Sequence, residues 1–385
     1  MVRREDRGAH PRRGPAATGV LTAPRFRAVT SLDEAAALVP AWDALADASG
    51  AGLLTRPGFA LGWWRTLGRG RLLIGTVWRG DELVALAPLH ERWIGAVRVA
   101  RWLGHGLGTV SEALVRPDDD EAARVMWQGL SRRGRVLELL EYREEGGGLA
   151  ALVDHPPARR RTTVAERDVC LALDFEPGGS GLEHLTYPGR GNVRGALRRA
   201  DREVEATGEP FTLEVVTDVA TFDARLPALQ AVYDAAEADN PRQNMLRPPY
   251  EDFVVEVWRA GIADGTAAVT IGLLGDRPVA LQLCLMDGRT CGLWAMRFAP
   301  DVAPLRPGHL LLRETCVWLA ARGYQHFDLL IGESQTKRQW STSRYLTLEV
   351  THGHPLDLRA AAAASGAVAR ARDLLGARRA ARSAG

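Results

Sequence analysis

At 385 residues the chain exceeds the roughly 250–300 at which a single hydrophobic core stops growing, so two domains are expected. Its 49 basic and 47 acidic residues nearly cancel, which excludes a general coat for nucleic acid or membrane and leaves any anionic ligand to a local patch. A hydrophobic share of 46% is enough to bury a core and excludes bulk disorder.

Residues 1–26 scatter Arg, Pro and Gly without an apolar stretch, and are expected to form a disordered leader rather than a secretory signal. In the segment 27–160, Asp33 to Ala48 has helical spacing behind the N-cap candidate Ser31, and Phe59 to Leu67 forms a second helix. Arg71 to Trp78 and Glu82 to Leu89 read as strands around the turn Arg79-Gly80-Asp81, followed by a strand Val97 to Leu103, a helix Glu121 to Gly129 and a strand Val136 to Leu140. Trp102 to Gly108 is glycine-rich but precedes no convincing helix, and reads as a turn. Gly146 to Asp168, with three glycines, Pro156-Pro157 and Arg159 to Arg161, interrupts the pattern and marks a boundary.

The segment 168–352 repeats the plan. A charged helix, Asn192 to Ala206, ends at Gly208 and leads to a strand, Phe211 to Val216. Two helices, Val219 to Asp234 and Tyr250 to Ala263, precede a meander of Ala267 to Leu274, Pro278 to Met286 and Arg289 to Phe298. A loop then enters the helix Leu310 to Ala321, and the strand Gln325 to Ile331 follows. A meander, a helix and a strand thus occur twice, giving an α+β fold of two tandem lobes, each a mixed, mainly antiparallel sheet flanked by helices. Residues 353–385, rich in Ala and Arg, are expected to form a terminal helix or tail.

The four cysteines lack CxxC spacing and no short ligand cluster surrounds them, so no metal site is expected, nor is a covalent cysteine intermediate; a reduced, cytoplasmic setting fits them. No run reaches the ~18 apolar residues of a membrane span, so no membrane partner is expected.

Four stretches of the second half carry a resemblance: Asn192 to Glu203 with Gly208, Gly275 to Leu281, Leu305 to Leu312, and Phe327 to Glu333 with Lys337 and Trp340. Together they resemble the GNAT acyltransferase superfamily, within it the CelD/BcsL branch, which shares its lobes with FemABX peptidyltransferases. Gly80 to Leu89 resembles the equivalent hairpin of a first lobe, expected to be structural or to help wall an acceptor cleft. The resemblance implies acyl transfer from acetyl-CoA or another acyl-CoA to the amine of a small molecule or sugar by a monomer or homodimer. A Fem-like use of aminoacyl-tRNA and a catalytically silent binding protein are the alternatives.

On that reading Arg306, Pro307, Gly308, His309 and Leu310 hold the donor diphosphate, because a helix start presents unpaired N–H groups and a positive dipole end. Only a neutral amine attacks a thioester, so a base is needed; Glu333 is preferred over Asp328. Lys337, the chain's sole lysine, matches a family lysine near the acceptor or carrier phosphate. Asp239, Asn240, Gln282, Trp294 and Trp340 are the expected acceptor contacts, although a solvated loop and core packing are the plainer readings of the loop residues and tryptophans.

Overall fold

The computed structural model describes residues 22–366; the leader up to residue 21 and the tail from 367 lie outside the described residues. The first half runs β1 (Arg25–Val29), α1 (Leu32–Ala37), α2 (Val39–Ser49), α3 (Pro57–Thr66), β2 (Arg71–Arg79), β3 (Glu82–Ile94), β4 (Val97–Trp102), β5 (Leu114–Val115), α4 (Asp120–Leu130), β6 (Arg135–Arg143) and α5 (Leu149–Val153). The second runs β7 (Arg161–Asp174), α6 (Gly191–Thr207), β8 (Phe211–Val216), α7 (Val219–Asp239), α8 (Glu251–Asp264), β9 (Ala267–Leu274), β10 (Arg277–Asp287), β11 (Thr290–Phe298), α9 (Pro307–Ala320), β12 (His326–Ile331), α10 (Gln335–Trp340) and β13 (Ser343–Gly353). Residues 355–366 are helical and pack Leu358 and Ala361 on Val97, Val99 and Val136.

The helix expected over Asp33 to Ala48 is two helices, α1 and α2, divided at Leu38. Pro40 stands in the first turn of α2, where its missing N–H costs nothing, whereas inside a longer helix it would have removed a bond. Ser31 caps α1 by accepting the Glu34 N–H.

Among the described residues all thirteen strands belong to one sheet, ordered β1-β2-β3-β4-β6-β13-β7-β12-β11-β10-β9-β8, with β5 paired to β3. The halves meet through β13, which lies antiparallel to β6 on one side and to β7 on the other. The stretch 146–168, read from sequence as a boundary, contains α5 and the first part of β7. Two pairings are parallel, β4 with β6 and β11 with β12, and each joins the end of a three-stranded meander to the strand beyond a crossing helix.

The halves also share a core. Trp42, Phe59 and Trp63 pack in one cluster with Phe253, Val257 and Trp258. Where α3 crosses α8, a Cβ on Gly62 would stand 2.5 Å from Val257 Cγ2, so only glycine admits that approach. Separate cores lie under α4, with Trp102, Trp127 and Tyr142, and under α6 and α9, with Phe327 and Trp340.

Candidate active site

The site begins where β11 and β12 part. They pair only from Thr290–His326 to Gly292–Asp328, so the edge of β11 from Leu293 onward has no strand partner there. Against β10, Cys284 pairs with Leu293 and Leu283 with Ala295, which leaves Trp294 as a bulge. On the opposite wall the β12–β7 ladder breaks between Asp328 and Ile331, and Leu330 takes the left-handed conformation at φ 57°. A bulge in one strand and a bend in the other open a wedge, and a cavity of about 500 Å³ occupies it.

Trp294, Met296 and Arg297 form one side of this cavity, Ile331, Glu333 and Lys337 the other, and Arg242 and Met245 from the α7–α8 loop cover it. Arg297 donates from Nε to Glu237 Oε1 at 2.9 Å and lies over the Tyr233 ring. Glu333 is exposed at the rim, its Oε2 3.6 Å from Arg338 Nη1. Lys337 donates from Nζ to the carbonyl oxygens of Ile331 and Leu330, at 2.7 and 3.4 Å. Burial lowers the pKa of this ammonium, against the opposing pull of Asp328.

The first turn of α9 stands beside the wedge. Its N-cap, Arg306, has φ 54°, no side-chain cap bond is made, and the turn holds no acidic residue. The helix start is therefore left positive. The Arg306 side chain is exposed and makes no hydrogen bond or ion pair among the described residues. A Cβ on Gly308 would lie 3.6 Å from Met296 Cε and 4.0 Å from Phe298 Cδ1, ordinary contacts, so internal packing does not demand a glycine there.

Residues 191–338 match the family model of the acetyltransferase (GNAT) domain. That segment is a GNAT domain by this match. The architecture of both halves together is similar to that of FemX, with a TM-score of 0.61 at 10% identity, over 85% of this chain and 96% of that one. The L-PGS structure from Bacillus licheniformis gives 0.55 at 14% identity, over 84% and 92%. The C-terminal domain of a putative lysylphosphatidylglycerol synthetase from Agrobacterium fabrum gives 0.54 at 14%, over 86% and 96%. At such identities the likeness is one of fold. No curated protein matches the chain. Residues 191–338 thus carry a GNAT acetyltransferase domain, and the two halves together share the fold of FemX.

Within the GNAT domain the structure gathers Glu333, Lys337 and Trp294 around the cavity, with Arg306 and Gly308 at the adjoining helix start. Other expected residues lie elsewhere. Pro307 and Leu310 are buried and anchor the turn of α9 by packing. His309 Nδ1 accepts the Trp340 indole N–H at 2.9 Å, and burial together with Arg306 lowers its pKa, so the imidazole is braced against Trp340 through that nitrogen. Trp340 is fully buried, which corrects its expected place in an acceptor cleft. Gln282 is also fully buried, its Oε1 accepting the Thr270 and Thr315 hydroxyls at 2.8 and 2.9 Å, because a carboxamide inside a sheet must satisfy its own polar atoms. Asp239 and Asn240 are exposed at the end of α7, and it is Arg242, Gln243 and Met245 from the same loop that reach the cavity.

Asp328 faces away from the wedge. Alternation along β12 turns it and Leu330 into a second cavity of about 740 Å³ between the halves, while Leu329 and Ile331 face the first. Its Oδ2 accepts the Tyr345 hydroxyl at 2.7 Å and its Oδ1 the Leu330 N–H at 2.7 Å. Burial raises its pKa despite those bonds. Sequence reasoning missed Arg297, whose role follows from the bulge at Trp294, and Leu107, which reaches the cavity from the first half with no local signal. Among the described residues no group of three or more His, Cys, Asp or Glu could hold a metal, and no helix is long and apolar enough to cross a membrane.

Proposed function

We propose that the protein transfers an acyl group, in the simplest case acetyl, from a CoA thioester to a primary amine of a small molecule or sugar. One observation carries this reading: an acid-free, uncapped helix start lies against an open wedge walled by more cations than anions. A diphosphate suits the Gly308 N–H, which as the second residue of α9 has no partner within the helix, with Arg306 supplying charge. The unpaired edge of β11 offers backbone groups to an extended amide-bearing arm and an N–H donor to the oxyanion of the tetrahedral intermediate.

Glu333 is the base of this scheme. It takes the ammonium proton directly or through water, and the neutral amine then attacks the carbonyl carbon and expels the thiolate. The buried, unpaired state of all four cysteines fits direct transfer without a covalent enzyme intermediate, in a reducing cytoplasm. The test is a thermal-shift screen of CoA thioesters followed by intact-mass detection of acylated amines. A stabilising thioester and a product heavier by the acyl group are expected; no stabilisation by any thioester contradicts the donor assignment.

A second reading, aminoacyl transfer from charged tRNA, gains support from the similarity to FemX and to lysylphosphatidylglycerol synthetase, which runs across both halves and not the GNAT domain alone. Activity that needs charged tRNA and disappears with ribonuclease would favour it over the CoA route.

A further inference from the structure

The bend in β12 exposes backbone groups that a neighbouring strand would normally satisfy, and a polar backbone group left unpaired in a partly buried wall is costly. Side chains take three of them. The Leu330 N–H goes to Asp328 Oδ1 at 2.7 Å, the Ile331 oxygen to Lys337 Nζ at 2.7 Å, and the Leu330 oxygen to the same ammonium at 3.4 Å. Tyr345, on β13 beyond β7, fixes the other oxygen of Asp328.

The first half shows what the alternative looks like. At the equivalent point of β6, Glu141 also has positive φ, at 54°, but its oxygen accepts the backbone N–H of Ser111, and the Ser111 oxygen accepts the Arg143 N–H. There a length of chain fills the wedge and satisfies the strand. In the GNAT domain one ammonium replaces that chain. Its compact head and flexible stem suit two adjacent carbonyl oxygens better than a planar guanidinium does, which gives a reason for the single lysine among so many arginines.

We propose that Lys337 and Asp328 are positioning residues that substitute for the missing strand, holding β12 bent so that the wedge stays open, and that neither carries a proton in the reaction. The kinetic part of this inference rests on the reading of the wedge as the donor slot. The structural part does not.

The test uses the full chain in hydrogen exchange and in steady-state kinetics with acetyl-CoA. For Lys337→Met, exchange of the amides from Leu330 to Glu333 is expected to rise ~10-fold while the shared core stays protected. Donor KM is expected to rise ~10-fold, with kcat within ~3-fold of the wild type, and Lys337→Arg to recover part of the loss. Asp328→Asn keeps an oxygen for the Leu330 N–H, so kcat within ~3-fold and an unmoved pH profile are expected.

Unchanged exchange in Lys337→Met overturns the clamp. So does a kcat loss of ~100-fold or more in Asp328→Asn with disappearance of a pH limb, the mark of a proton carrier. If Lys337→Met does not fold, Lys337→Arg and Asp328→Asn decide the question by the same readouts. If the wild type does not use acetyl-CoA, the donor reading fails, and the exchange data still decide the clamp.

Discussion

The two wedges of the sheet begin alike and end differently. β4 and β6 run parallel from Arg98–Arg135 to Ala100–Leu137 and then part, as β11 and β12 do. In the first half the buried run Thr109 to Ala113 lies in the gap, and Ser111 bridges to Tyr142 as a further strand would. The helix start beside that wedge is closed to anions too: Asp119 accepts the Ala122 N–H at 3.0 Å, holds Arg79 at 2.8 Å, and is followed by Asp120 and Glu121. In the GNAT domain the gap is open, the helix start is bare, and nothing acidic stands in its first turn. The duplicated frame thus leaves its wedge open and its crossing helix uncapped in one half only.

The largest effect that would sharpen this contrast is expected at the rim of the open wedge. Replacing Glu333 by Gln should lower kcat ~100-fold or more at near-constant donor KM, measured by steady-state kinetics, if Glu333 is the base. A kcat within a few-fold of the wild type would move the base elsewhere. In the closed half, Asp119→Ala should cost about 2 kcal/mol of unfolding free energy through loss of the cap and of the Arg79 partner, yet leave donor KM unchanged. Denaturant titration and kinetics on the same variant check both parts.

A smaller effect is expected from Gly308→Ala. Since the fold has room for a Cβ there, stability should hold while donor KM rises ~10-fold, because the backbone can no longer be approached closely. Equal KM would show that the helix start does not touch the donor.

The smallest effect is one of pH. Burial pushes His90 down to about 4 and His105 to about 3 in the first half, and His352 on β13 and His184 in the second half down to about 4. In the unfolded chain they titrate near 6.5, so between those values the unfolded state binds more protons. Their contribution is full above about 6.5 and is lost as pH falls toward about 4. The melting temperature should therefore decline over that window; a flat profile would contradict the buried, neutral imidazoles.

Much of the frame was legible because it is local. The glycine turns at Gly80, Gly208 and Gly275 adopt positive φ, and the alternating runs between them became the two meanders. The edges of the plan were not legible. β13 lies beyond the second meander and finds its partners in β6 and β7, pairings over long sequence separations that periodicity does not encode. β7 crosses a stretch whose Pro, Gly and Arg residues read as a linker, since an exposed strand shows little apolar alternation.

The site divides in the same way. Glu333, Lys337 and Gly308 could be placed because each sits just after a strand or at a helix start. Asp328 is a strand residue, and a one-residue alternation decides which cavity it faces; only the register of β12 settles that it backs the wedge. Trp340 and Gln282 looked like ligand contacts because a polar or aromatic side chain near a site has the same sequence signature whether it meets a substrate or a neighbouring side chain.

The central claim is that a single wedge, the carboxyl-terminal one, takes the acyl donor. Calorimetric titration of the intact protein with acetyl-CoA tests it most directly, using Arg306→Asp to give α9 the acidic start of α4. One site per chain is predicted, weakened ~10-fold or more in Arg306→Asp and unaffected in Asp119→Ala. Two sites per chain, or a binding constant indifferent to Arg306→Asp, would contradict the account.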